Sequence, residues 1–140
     1  MARYEYGKLA HYPHLRAKEI EIWERFIEAK PDEYDECEYD LAFGLLPPFK
    51  TVIVPDTGGD DRRVYLRRVD VVAYKGNRTD FIEIKPNAGP GAIGQIKGYI
   101  TLYKGLVDPS ADITARLLTD NARADVMILA AHEGVILSLV

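Results

Sequence analysis

Apolar residues recur along this chain with two different periods, and the points where the period changes divide it into elements. Between His14 and Lys30, HLRAKEIEIWERFIEAK sets Leu15, Ile22, Trp23, Phe26 and Ile27 at helical spacing with charges between them, which predicts an amphipathic helix stopped by Pro31. From Glu36 the period falls to two. Cys37, Tyr39 and Leu41 alternate with Glu36, Glu38 and Asp40, predicting a strand with one wet face that ends before Pro47 and Pro48. KTVIVP adds a short extended piece, and DTGGDD reads as a loop. VYLRRVDVVAYKGNRTDFIEIKP then reads as two strands joined at Gly76 and Asn77, a strong hairpin signal. Ala92, Ile96, Tyr99, Ile100 and Tyr103 form a helical stripe closed by Asp108 and Pro109. ITARLLT alternates as a strand, ADVMILAA fits a helix ended by Gly134 or a buried strand, and VILSLV is a last apolar strand. The predicted order is α-β-β-β-α-β-α-β, an α/β fold with one mixed sheet.

The hairpin carries a chemical consequence. A two-residue loop at Gly76 and Asn77 sets Val71 opposite Ile82, Val69 opposite Ile84, and Asp70 opposite Glu83. The register that places the apolar pairs on a common face therefore forces two carboxylates together, with cross-strand Cβ atoms about 5 Å apart, where like charges destabilise. A divalent cation with oxygen ligands is the common compensation. Lys85 projects from the same face, because strand side chains alternate, and its ammonium can stabilise the carboxylates or orient a water beside a phosphate. Gln95 and Tyr99 stand one helical turn apart and can meet.

Length, charge and cysteine content narrow the setting. The 140 residues suit one compact domain, 1–140, rather than two. A formal net charge of −4 argues against holding nucleic acid by bulk electrostatics, so any such contact is local. Cys37 is the only cysteine, which removes an intramolecular disulfide and a thiolate cluster. No apolar run reaches transmembrane length and MARYEYGKLAHYPH lacks a signal-peptide core, so the expectation is a soluble, cytoplasmic protein with no membrane partner. The acidic run from Asp32 to Asp40 reads as a solvated loop and strand face. RRVYLRR contains four arginines, of which Arg68 is expected on the Asp70 face, where it can guide a phosphate. GPGAIGQ lacks the Lys-Ser/Thr ending of a P-loop, and His11, His14 and His132 show no ligand spacing.

Val69-Asp70, Glu83-Ile84-Lys85 and Gln95-Ile96-Lys97-Gly98-Tyr99 together resemble the PD-(D/E)xK nuclease superfamily, in the branch of RecB-type and phage-encoded nucleases. The specific motif covers Arg68 to Tyr99, while the element order extends the resemblance from Leu15 to the C-terminus. The resemblance implies a restriction-endonuclease-like core and hydrolysis of nucleic-acid phosphodiesters, with DNA the expected substrate. It implies Mg²⁺ or Mn²⁺ held by Asp70 and Glu83, a water positioned by Lys85, and Gln95 supporting Lys85 or touching the substrate backbone. Tyr99 would pack or hydrogen-bond beside Gln95, or stack on a base. Members often add a glutamate from the first helix, for which Glu19 is the candidate. Pro55-Asp56 is not the motif, since the aspartate belongs on the strand paired with Glu83 and Lys85. A second expectation is a structural or adaptor protein on the same fold, such as a phage head-completion or virion component. A third is a transposase or repair subunit that supplies cleavage only inside a larger assembly; the expected partners are nucleic acid, and further copies of the chain or a phage or repair assembly.

Overall fold

The computed structural model describes residues 3–47, 49–54 and 66–140. The DTGGDD loop, Pro55-Asp56 and the first arginines of RRVYLRR lie outside the described residues. Among the described residues the elements are β1 (Tyr4–Glu5), α1 (Ala17–Ala29), β2 (Glu36–Leu46), β3 (Lys50–Val54), β4 (Arg67–Lys75), β5 (Arg78–Ile84), α2 (Pro90–Leu106), β6 (Ile113–Thr119), α3 (Ala124–His132) and β7 (Ile136–Leu139). The predicted order holds, with the two-residue β1 added in front and KTVIVP resolved as β3. ADVMILAA is helical, and Gly134 at φ 70° supplies the left-handed residue that ends it.

The strands form one curled mixed sheet in the order β1-β2-β4-β5-β6-β7, with β3 paired to β2. The β2, β4 and β5 pairings are antiparallel. The β5, β6 and β7 pairings are parallel, each reached through a helix. Helix α1 covers one face, burying Ile22, Trp23 and Phe26 against Tyr39, Val71, Ile82 and Ile84. Helices α2 and α3 cover the other, burying Ile93, Ile96, Val126 and Ala130 against Phe43, Val69, Val72, Phe81 and Leu117. Helix α1 starts later than its apolar spacing suggests because His14 sits at φ 60°; the first helical turn is closed by Glu19, whose carboxylate accepts the Arg16 N–H at 2.9 Å. No helix among the described residues is long and apolar enough to cross a membrane.

The expected wet face of β2 is overturned. Glu38 and Asp40 are buried, Glu38 beside Tyr74 and Asp40 against Arg68 and His14, where alternation alone assigns them to water. The acidic run is knitted into the structure. Glu33 pairs with Arg78 and Arg116, Asp35 with Lys75, and Asp40 with Arg68.

Candidate active site

The hairpin register is as predicted through Val71 opposite Ile82, with Gly76 at φ 56° in the turn. It does not continue to Val69 and Ile84, which lie in the two different core layers. The cause is a switch shared by two neighbouring strands. In β2, Tyr39 belongs to the α1 layer while Leu41 belongs to the α2 layer, and Asp40 between them adopts φ 57°. In β4 the same exchange falls between Val71 and Val69, around Asp70. Both strands turn over together, so their pairing keeps step, with Tyr39 opposite Val71 and Leu41 opposite Val69. Strand β5 does not follow. The sheet forks, and Asp70 stands at the fork.

Asp70 is released from strand pairing but not from β5. Its Oδ2 accepts the Ile84 N–H at 2.9 Å, a side chain doing the work of a missing ladder carbonyl. Glu83, buried on β5, meets Asp70 closely enough for the two carboxyls to share a hydrogen bond when one is protonated. Burial raises the pKa of both above the ordinary carboxylate range, and the charge of Asp70 raises Glu83 further. Glu19 on α1 adds repulsion to both. The ammonium of Lys85 lowers Glu83 and only partly offsets these effects. Oε2 of Glu83 is buried without a hydrogen-bond partner, so the pair is incomplete as it stands.

Helix α2 contributes from the opposite side of the fork. Gln95 Nε2 donates to the Tyr99 hydroxyl at 2.6 Å and makes no hydrogen bond to Lys85. Burial is the main cause of the raised Tyr99 pKa, and the charges of Glu83 and Asp70 add to it. Arg68 does not share the face expected for it. The strand switch turns it to Asp40, where Nε and a terminal nitrogen make a two-pronged contact at 2.8 and 2.6 Å. His14 Nε2 lies 3.3 Å from the same carboxylate. Arg67 instead borders the shallow hollow formed with Gly94, Gln95 and Tyr99.

The fold thus gathers Asp70, Glu83, Lys85, Glu19 and Tyr99, reaches Gln95 through Tyr99, and diverts Arg68. Asp40 and His14 escape the sequence reading. Asp40 raises the Asp70 pKa from the neighbouring strand, and the aspartate's tolerance of left-handed backbone is the one sequence signal of its position. Among the described residues no group of three His, Cys, Asp or Glu side chains is assembled to hold a metal ion. Two carboxylates with water and substrate oxygens nevertheless fit Mg²⁺, which usually retains several waters and takes one or two protein carboxylates. The partnerless Glu83 oxygen and the absence of nitrogen or sulfur donors in the pair suit a hard cation.

No protein-family model matches the chain, and no curated protein matches it in sequence. Among solved structures it is similar to a repair endonuclease from Pyrococcus abyssi, with 15% identity and a TM-score of 0.52 over 94% of this chain and 49% of that one. It is also similar to EndoMS in an EndoMS–dsDNA2 complex, with 15% identity and a TM-score of 0.50 over 95% of this chain and 49% of that one. A third similarity is to protein VC1899 from Vibrio cholerae, with 14% identity and a TM-score of 0.50 over 91% and 34%. The chain spans about half the length of the two endonuclease structures and a third of VC1899. At these identities the likeness is one of fold: the chain carries a nuclease fold of the restriction-endonuclease-like kind.

Proposed function

We propose that the protein is a metal-dependent nuclease of the PD-(D/E)xK type, hydrolysing phosphodiester bonds in DNA with Mg²⁺ or Mn²⁺. The observation that carries this reading is the buried Asp70–Glu83 pair at the sheet fork, with one Glu83 oxygen left without a partner. Two carboxylates held together against burial and mutual repulsion are costly unless a cation satisfies them. The fold is one that endonucleases use, which supports the reading without identifying the reaction.

In this mechanism Asp70 and Glu83, once deprotonated, would hold the cation through their carboxylate oxygens. The bound cation supplies charge that polarises a scissile phosphate and acidifies a coordinated water. Lys85, exposed beside Glu83, holds the attacking water and offsets charge at the phosphate. Glu19, with one oxygen occupied by the Arg16 N–H, would use its second oxygen to hold water beside the pair. Tyr99, with its hydroxyl held by Gln95, presents a ring edge to the substrate. Arg67 takes the phosphate-guiding part first assigned to Arg68, because Arg67 faces the Gln95–Tyr99 hollow while Arg68 is committed to Asp40.

Cleavage of single-stranded, double-stranded and branched DNA and RNA with Mg²⁺ or Mn²⁺ tests the proposal. Activity in the wild type and its loss by at least a hundredfold in Lys85→Ala, with metal binding kept, is the expected result. A folded wild type that binds metal and cleaves nothing would shift the reading to a structural or adaptor role in a larger assembly.

A further inference from the structure

A second hollow lies on the α2 face, toward the Gly76–Asn77 turn and the C-terminal end of α2, away from the fork. It is a cavity of about 410 Å³ between β2, β3, β4, β5 and the segment after α2. Its walls include Phe81 and Tyr103, whose rings meet edge to face with centroids 5.3 Å apart. Glu38 lines it and is 4% exposed. One Glu38 oxygen accepts the Tyr74 hydroxyl at 3.3 Å, while Oε1 is buried without a hydrogen-bond partner. A buried carboxylate with an unmet oxygen, facing an open cavity, is an acceptor waiting for a donor.

The chain already shows which donor fits. The guanidinium of Arg3 lies over the Tyr74 ring, 4.0 Å from its centroid, and its Nε stops 3.6 Å from Glu38 Oε1, too far for a hydrogen bond. Arg3 is a surface occupant. Its side chain is 43% exposed, its other polar contact is a terminal nitrogen donating to Oε2 of exposed Glu36 at 3.3 Å, and the strand after it, β1, pairs with β2 at only Tyr4–Cys37 and Glu5–Glu36. The remaining chemistry of the walls is selective. Glu38, Asp108 and Asp112 outnumber Arg3, which repels phosphate-bearing ligands. Aromatic and aliphatic walls with one buried carboxylate do not replace the water shell of a metal ion. A flat organic cation satisfies all three features: a charge for Glu38, a face for the Tyr74 ring, and an apolar body for the rest.

We infer that this cavity is a binding site for a guanidinium or amidinium group, carried by a small molecule or presented as an arginine side chain by another chain, and that Arg3 is its displaceable internal occupant. The site is independent of the nuclease reading, since none of the fork residues lines it.

Calorimetric titration with benzamidine, agmatine and N-acetyl-arginine amide tests it, using wild type, Glu38→Gln, Arg3→Ala and Arg3→Ala/Glu38→Gln. Arg3→Ala should bind at least one of these cations about tenfold more tightly than wild type, and adding Glu38→Gln should remove at least that gain. A preference for agmatine points to a free amine, and one for the arginine amide to a presented side chain. No binding to folded Arg3→Ala, affinity indifferent to Glu38→Gln, or equal binding of adenosine monophosphate would each overturn the inference. Wild type provides a check that needs no variant: saturating benzamidine must shift the Tyr74 ring resonances, and unmoved resonances would also overturn it.

Discussion

The chemistry at the fork is set by which proton leaves which carboxyl. Asp70 and Glu83 have pKa values raised chiefly by burial, so the metal-free folded chain holds protons there that the unfolded chain has released above about pH 4. A raised folded-state pKa contributes stability that is complete below the unfolded value and is lost as pH rises through the folded one. Thermal denaturation in EDTA should therefore show stability falling from about pH 5 upward through neutrality, beyond what the rest of the protein shows. Glu83→Gln should flatten that fall, since the amide carries no charge at any pH. Saturating Mg²⁺ should reverse it, because deprotonated ligands bind the ion more tightly as pH rises. A slope unchanged by Glu83→Gln would remove the pair as its origin. Lys85 lowers Glu83 and works against the proton, so Lys85→Ala should carry the metal-free fall to higher pH and deepen it, as well as abolishing turnover.

At the scale of elements, the fork depends on β2 and β4 turning over together. Asp40 occupies left-handed backbone inside a strand, and Arg68 holds it by two hydrogen bonds from the facing strand. Arg68→Ala withdraws the two-pronged partner of a carboxylate that is 8% exposed, and should destabilise the fold by about 2 kcal/mol in urea denaturation. Asp40→Val should cost more, because a β-branched residue resists positive φ and Arg68 loses its acceptor. Both changes should also weaken Mg²⁺ binding without touching a proposed ligand, since they relax the switch that carries Asp70 out of the ladder. Undiminished Mg²⁺ affinity in a destabilised Arg68→Ala would show that the fork does not need this pair. Much of this element is legible in sequence: the two-residue turn and period-two alternation predict the β4–β5 register to Val71 and Ile82. The strand switch is not, because alternation assumes a strand that keeps its faces, and β2 and β4 each exchange theirs at an aspartate.

The whole molecule is tied together by charges buried within the sheet layers. Asp80 on β5 is fully buried, accepts the Tyr34 hydroxyl at 2.6 Å, and lies near Arg78 and Arg116 at 3.4 and 3.9 Å. Arg116 on β6 in turn reaches Glu33 before β2 and Ser138 on β7, so one side chain links segments far apart in the chain. Arg116→Ala should cost about 3 kcal/mol, as expected when a buried pair loses one partner. Arg116→Met with Asp80→Asn should recover more than half of that loss, because neither side then buries an unmatched charge. Equal instability of the single and double variants in guanidinium denaturation would assign the effect to packing.

Local pattern alone determined the order of helices and strands and the Gly76–Asn77 hairpin, which sets Asp70 and Glu83 on neighbouring strands. Glu19, named through the resemblance, stands one helical turn before the buried Trp23. These are short-range consequences of 3.6- and 2-residue periods, which the sequence carries explicitly. Tertiary structure decided where the sheet forks, which arginine faces the hollow, and that Glu38, Asp40 and Asp80 are buried. Those outcomes depend on what covers each face, on Asp40 taking a left-handed turn against its partners, and on residues such as Glu33 and Arg116 meeting across most of the chain. No window of neighbouring residues holds that information, because burial belongs to the assembled layers and not to any strand within them.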